Sequence, residues 1–251
     1  MRLPLFITIF LVIIVSTALS QSPREINKTI PLKLDGHLVI DTYKGSITVT
    51  TNDKPQVEVY VKIESDDRDS RDAERDIADT EIEFHGTDQE VTICTNYRNV
   101  ERHNNHDFWD WITDPWEQSS SLPLVHYTIK MPRTAELRIK DYKSESHIEG
   151  LNSYLTFNTY KGDIRVSFTM LKNDSHFETY KGKIAVYVPK QIGFEVQTDF
   201  GKRVDFSSDF DVETHERDRK HRQYDYSGKF NGGGPNLEFK STKGDIRLRS
   251  K

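Results

Sequence analysis

The sequence predicts an all-β fold, a β-solenoid or stack of β-strand repeats with coils of about 19 residues and two inserted loops, and three observations predict it. One unit recurs along the chain. Alternating apolar residues lead to Thr, Ser or Lys, often to Tyr-Lys-Gly, and then to a second alternating run. The copies read LVIDTYKGSITV at Leu38 to Val49, LRIKDYKSES from Leu137, LTFNTYKGDIRV at Leu155 to Val166, FETYKGKIAV at Phe177 to Val186, FEVQTDFGKRV from Phe194 and LEFKSTKGDIRL at Leu237 to Leu248. Second, the turn positions Ser144, Gly162, Gly182 and Gly201 lie 18, 20 and 19 residues apart. Third, alternation such as Leu155/Phe157 and Ile164/Val166/Phe168 puts apolar side chains on one face of a strand and polar ones on the other. One such unit has too small an apolar face to stand alone, so neighbours must stack to build a continuous core.

The first segment, Met1 to Ser20, has a basic start at Arg2, an apolar run from Leu5 to Val15 and the small-residue stretch Ser16 to Ser20. This is the layout of a signal peptide, with cleavage expected before Gln21 and no membrane span left after it. Residues 21–251 then form a single β-repeat domain, regular over 137–251. In the N-terminal third, Val57/Val59/Val61/Ile63, Ile82/Phe84 and Val91/Ile93 predict three further strands. Asp66 to Ala78, rich in Asp and Arg, is read as a solvated loop or frayed helical turn and lacks calcium-loop spacing. Cys94 stands within an alternating run and is the one cysteine of the chain, so no internal disulfide can form.

Insertions interrupt the pattern at 102–123 and 209–223, and both are read as projecting loops. The first carries Trp109, Trp111 and Trp116, which form either a platform for sugar or protein or a lid folded over the end of the stack. It also holds His103 and His106 with Asp107, too few ligands for a zinc site without help from elsewhere. The turn glycines Gly45, Gly162, Gly182, Gly201 and Gly244 are read as structural, with Gly45, Gly162, Gly182 and Gly244 at turn positions that fit positive φ. The final strand alternates Ile246 and Leu248 with Arg247, Arg249 and Lys251, which reads as a charged, protected sheet edge.

Three stretches resemble the bacterial putative-adhesin family of β-strand-repeat proteins. They are Thr29 to Val49 with Pro55 to Val59, Ile129 to Pro132 followed by Leu137 to Ile139, and Gly232 to Leu237 with Lys243 to Leu248. The resemblance implies a β-solenoid-like domain exported to the cell envelope, without a cofactor and without assigned catalytic residues. It carries over no functional site.

Composition narrows the function classes. With 35% hydrophobic and 11% aromatic residues the chain is lean but has the composition of a folded protein, and a net charge of −5 gives no overall attraction to nucleic acid. No phosphate-loop or dinucleotide motif is present, nor a nucleophile placed with its base. The candidate surface is therefore the tryptophan insertion together with Tyr142-Lys143, Tyr160-Lys161 and Tyr180-Lys181, a row that extends back to Tyr43-Lys44. Stacked coils would align it with neighbours about 4.8 Å apart, either to bind an acidic glycan or to stabilise itself as a ladder. The expectation is a non-enzymatic, exported adhesin-like module in the periplasm, on the cell surface or secreted, with glycan or an envelope protein as partner. A structural or signalling scaffold is the alternative, and a small carbohydrate-active enzyme a remote one.

Overall fold

The computed structural model describes residues 23–65, 70–97, 122–218 and 223–251. In chain order, β1 (Arg24–Pro31) precedes β2 (His37–Asp41), β3 (Lys44–Asn52), β4 (Gln56–Glu64), the helix α1 (Ser70–Asp79), β5 (Thr80–Gly86) and β6 (Glu90–Tyr97). After the tryptophan insertion come β7 (Leu124–Pro132), β8 (Glu136–Asp141), β9 (Lys143–Leu151), β10 (Leu155–Thr159) and β11 (Asp163–Phe168). The long strands β12 (Ser175–Val188), β13 (Phe194–Ser208) and β16 (Asn236–Ser250) complete the stack, with β14 (Glu213–Asp218) and β15 (Gln223–Phe230) between the last two.

All described strands join one sheet that curls back on itself. Each repeat unit is a strand, a corner and a second strand. The strands before the corner, β6, β2, β8, β10 and the first half of β12, pair in parallel as one face. Those after it, β7, β3, β9, β11 and the second half of β12, make the opposite face. The offset between paired residues is 18 from Leu137 to Leu155 and 20 from Phe157 to Phe177. Between the faces lies one continuous apolar core, filled in register by Leu38, Leu137, Leu155 and Leu237, by Ile40, Ile139, Phe157, Phe177 and Phe239, and by Ile47, Ile164, Ile184 and Ile246. Alternation in the sequence becomes alternation in burial. In β4, for example, Val57, Val59, Val61 and Ile63 are buried while their neighbours are not.

The end at β1 is closed by antiparallel additions. Strand β4 pairs β7 and carries β1 outside it, while β5 pairs β6. Arg24 donates to the Thr80 carbonyl at 2.8 Å and the Lys28 ammonium lies 4.2 Å from the Phe84 ring centroid, tying the two free edges together. The region expected as a loop or frayed turn contains α1, because Ala73 and Ile77, four residues apart, give it a narrow apolar stripe that is buried.

The final strand corrects the expectation of an exposed edge. Strand β16 lies inside the sheet, parallel to β12 on one side and β13 on the other, so the last repeat is inserted between the fourth and fifth. Side-chain chemistry explains the order. Had β13 followed β12 directly, Glu178 would stand beside Asp199 at the same register. Lys240 of β16 instead sits opposite both, 3.0 Å from Glu178, while His176 meets Glu238 at 3.1 Å. Inside, Phe239 stacks on Phe177 with centroids 5.2 Å apart, where β13 offers only Thr198.

The segment 209–223 is also more structured than a projecting loop. Glu213 to Asp218 forms β14, antiparallel to β15, and β15 pairs the start of β13. The aromatics at its margins cap the far end of the stack: Phe210 and Phe230 pack on Phe194, and Tyr226 on Phe200 and Phe206. The insertion 102–123, including Trp109, Trp111 and Trp116 and the His103/His106/Asp107 group, falls outside the described residues apart from its last two, 122 and 123, as does Met1 to Ser20, the stretch read as a signal peptide.

The corner glycines fall into two kinds. Gly45 and Gly244 have positive φ, 136° and 128°. Gly162, Gly182 and Gly201 do not, so the left-handed backbone expected at Gly162 and Gly182 is absent; the constraint at all three is space. A Cβ at Gly182 would fall on the Gly162 carbonyl oxygen, and one at Gly162 would come within 2.5 Å of the Thr159 hydroxyl and 2.6 Å of an Asp141 carboxyl oxygen. At these three glycines the corners approach too closely for a Cβ, whereas Ser144, at the same position in its coil, is accommodated between Gly45 and the next corner.

Candidate functional site

The corners place the predicted row in one line. Tyr43, Tyr142, Tyr160 and Tyr180 stack with ring centroids 4.5, 4.9 and 5.0 Å apart and planes within 28° of parallel. The spacing is that of adjacent strands, imposed by the ladder beneath: the amides of Lys143, Lys161 and Lys181 donate to the carbonyls of Tyr43, Tyr142 and Tyr160 at 2.8–2.9 Å. The stack is closed at both ends. Tyr97 stands edge-on to Tyr43 at 6.3 Å, and the Lys243 ammonium lies 5.0 Å from the Tyr180 ring centroid and 3.1 Å from its hydroxyl. Thr242 takes the tyrosine's place in β16, so the aromatic row stops there.

The basic row continues past the tyrosines. Lys44 pairs Lys143 in the register, Lys161 and Lys181 follow, Lys181 pairs Lys243, and Lys243 pairs Arg203. Lys143, Lys181 and Arg203 are exposed. Among the described residues, Lys143 and Lys181 have no ion-pair partner. Lys161 lies 4.8 Å from the Tyr160 ring centroid and 5.9 Å from that of Tyr142. Flanking outward rows mix signs: Asp41, Lys140, Asn158, Glu178, Lys240 and Asp199 on one side, Ser46, Glu145, Asp163, Lys183, Asp245 and Asp205 on the other. The corner alone carries one sign from end to end. Sequence reasoning missed Lys243 and Arg203 as members because their place depends on where β16 inserts.

Beneath the tyrosines runs a buried polar column that the sequence did not single out. Thr42 and Thr95 share a hydrogen bond of 2.9 Å, and Thr95 and the Tyr127 hydroxyl one of 2.6 Å, linking the two faces through the core. Next in the column, Thr159 accepts the Gly162 amide at 2.7 Å, and Asp141 accepts the Ser144 amide at 2.6 Å. Both side chains thus fold the corner in the same way. Asp141 departs from the alternation that places polar side chains outward: it is buried, its Oδ1 lacks a hydrogen-bond partner, and burial raises its carboxyl to about 7 against the pull of the hydrogen bonds from Thr159 and Ser144.

One constellation has the connectivity of a nucleophile, base and orienting carboxylate. Ser46 Oγ lies 2.8 Å from His126 Nδ1, and His126 Nε2 3.1 Å from Glu64. Hydrogen bonding to Lys62, with the nearby charges of Lys62 and His126, holds Glu64 below the usual carboxylate range. The group lies across β3, β7 and β4 on the outward face. Each of these strands is paired on both sides, so the backbone N–H groups that would cradle an oxyanion are committed to the ladder. It acts as a cross-strand tie. Among the described residues no three His, Cys, Asp or Glu side chains converge to hold a metal.

Among solved structures, the chain is similar to a putative cell adhesion protein from Clostridium sporogenes ATCC 15579, at 13% identity, with 92% of this chain and 100% of that one covered and a TM-score of 0.58. It is also matched to a putative adhesin from Bacteroides fragilis NCTC 9343, at 10% identity over 91% of this chain and 99% of that one, with a TM-score of 0.32. At such identities the first likeness speaks for the fold alone. No curated protein matches the chain. The family model Toastrack DUF4097 matches residues 128–249, from within β7 to the penultimate residue of β16. Residues 128–249 are thus similar to the Toastrack DUF4097 family.

Proposed function

We propose that this chain is an exported, non-enzymatic surface or envelope module, a β-solenoid of coils about 19 residues long that adheres to its partner through the Tyr–Lys corner row. One observation carries the reading: six like charges, Lys44, Lys143, Lys161, Lys181, Lys243 and Arg203, stand in register on neighbouring strands. Like charges directly opposite one another cost about 0.2–1 kcal/mol per pair, and the flanking rows show that this fold mixes signs elsewhere. A local rule broken along an entire row, at a cost in stability, is the mark of a surface kept for binding. The closed tyrosine faces favour a second role for the same row, a scaffold that stiffens the corners.

The test is the triple variant Lys143→Gln, Lys161→Gln, Lys181→Gln in residues 21–251, applied to a glycan array and compared by thermal melting. A binding row predicts lost adhesion with a melting temperature unchanged or raised, because repulsion is relieved. A scaffold predicts unchanged adhesion and a lower melting temperature. Adhesion that survives this variant and disappears on replacing Trp109, Trp111 and Trp116 by Ala would move the contact to the insertion.

A further inference from the structure

We infer that the partner of the corner row is a linear acidic polysaccharide lying parallel to the stack axis across the corners, read by charge without ring stacking; this rests on the binding reading given above. Three features point to it. The cations form a line, one per strand, so their backbones recur every ~4.8 Å and the six positions span five such steps. A pyranose unit in an extended chain is of comparable length, so a polyuronate offers carboxylates at about the spacing of the coils it crosses. Globular protein partners seldom present charges in so long and straight a series.

The tyrosines narrow the class further. Sugar-binding platforms and single-stranded nucleic-acid grooves both use open aromatic faces. Here the faces are occupied by one another at 4.5–5.0 Å and closed by Tyr97 and Lys243 at the ends. A ligand that depends on stacking finds no face, whereas a polyanion needs only the ammonium row. The row on one side, Ser46, Glu145, Asp163, Lys183, Asp245 and Asp205, is net acidic and repels a polyanion laid across the corner towards it, which favours the axial direction.

The experiment is calorimetric titration of residues 21–251 with oligogalacturonates of two to ten units, beside neutral galactan oligomers and single-stranded DNA of matched charge. Affinity is expected to rise with length to about six units and then flatten, since the row has six cations, with each exposed contact contributing about two- to fivefold. The end variants Lys44→Gln and Arg203→Gln should each weaken the eight-unit oligomer by that factor and leave the trimer unaffected, while Lys161→Gln at the centre weakens both. Length-independent binding, silent end variants, or DNA bound as tightly as the uronate would overturn the inference while the row remains a binding surface. Neutral glycan bound through the row would do the same. Oligogalacturonate binding untouched by the Lys143/Lys161/Lys181 triple variant would overturn both.

Discussion

Asp141 makes the stability of this protein fall as pH rises, and the size of the fall follows from its position. Coils beside it carry Thr42, Thr159 and Thr179 in the same buried column, where a neutral hydroxyl suffices. The Asp141 carboxyl goes from 3.8 to about 7 on folding because burial penalises its charge. Below pH ~4 both states hold the proton and the group has no effect on stability. Between ~4 and ~7 the unfolded chain releases its proton while the folded chain keeps it, so stability declines with pH, and above ~7 the full penalty is present. A shift of about three units at ~1.36 kcal/mol each corresponds to about 4 kcal/mol. Asp141→Asn keeps the shape and the acceptor for the Ser144 amide but has no charge to bury. Urea unfolding of both proteins at pH 4 to 8 should show wild type losing about 4 kcal/mol more than the variant across that range. His176, Glu178 and the other titrating groups are common to both proteins and cancel. Parallel curves would show that Asp141 ionises in the fold without penalty and refute the reasoning.

Two further outcomes test the packing. Gly182→Ala should destabilise by about 2 kcal/mol or more, since its Cβ meets the Gly162 carbonyl, whereas Gly232→Ala, at φ 86° with nothing within 4 Å, should cost only about 1 kcal/mol from backbone conformation; equal melting shifts would show that backbone angle and not space governs the corner. Lys240→Glu should place a third acid between Glu178 and Asp199 and lower stability by about 1–2 kcal/mol, largely recovered in high salt; a salt-insensitive loss would mean that charge does not hold β16 in place.

Much of this fold is written locally. Alternation at Val57 to Ile63 or Ile164 to Phe168 determines strand and buried face together, because the side-chain period of a strand is two and one face must leave water. The recurring Tyr-Lys-Gly determined that the corners repeat, and the spacing of Ile139, Phe157 and Phe177 determined which residues share a layer. The row of tyrosines and lysines was legible for the same reason: a parallel ladder turns a sequence repeat into a spatial line. Only the tertiary structure decided where the last coil goes. The units of β13 and β16 have nearly the same pattern, and the choice between them as neighbour of β12 rests on non-local pairs, Lys240 between Glu178 and Asp199 and Phe239 on Phe177. Asp141 was equally hidden, since an acid at a corner reads as solvated until the coils on either side enclose it. The cap of Phe210, Tyr226 and Phe230 was masked by the charged residues among which those aromatics lie. Local pattern specifies what each segment becomes, and packing between segments far apart in the chain specifies which one it meets.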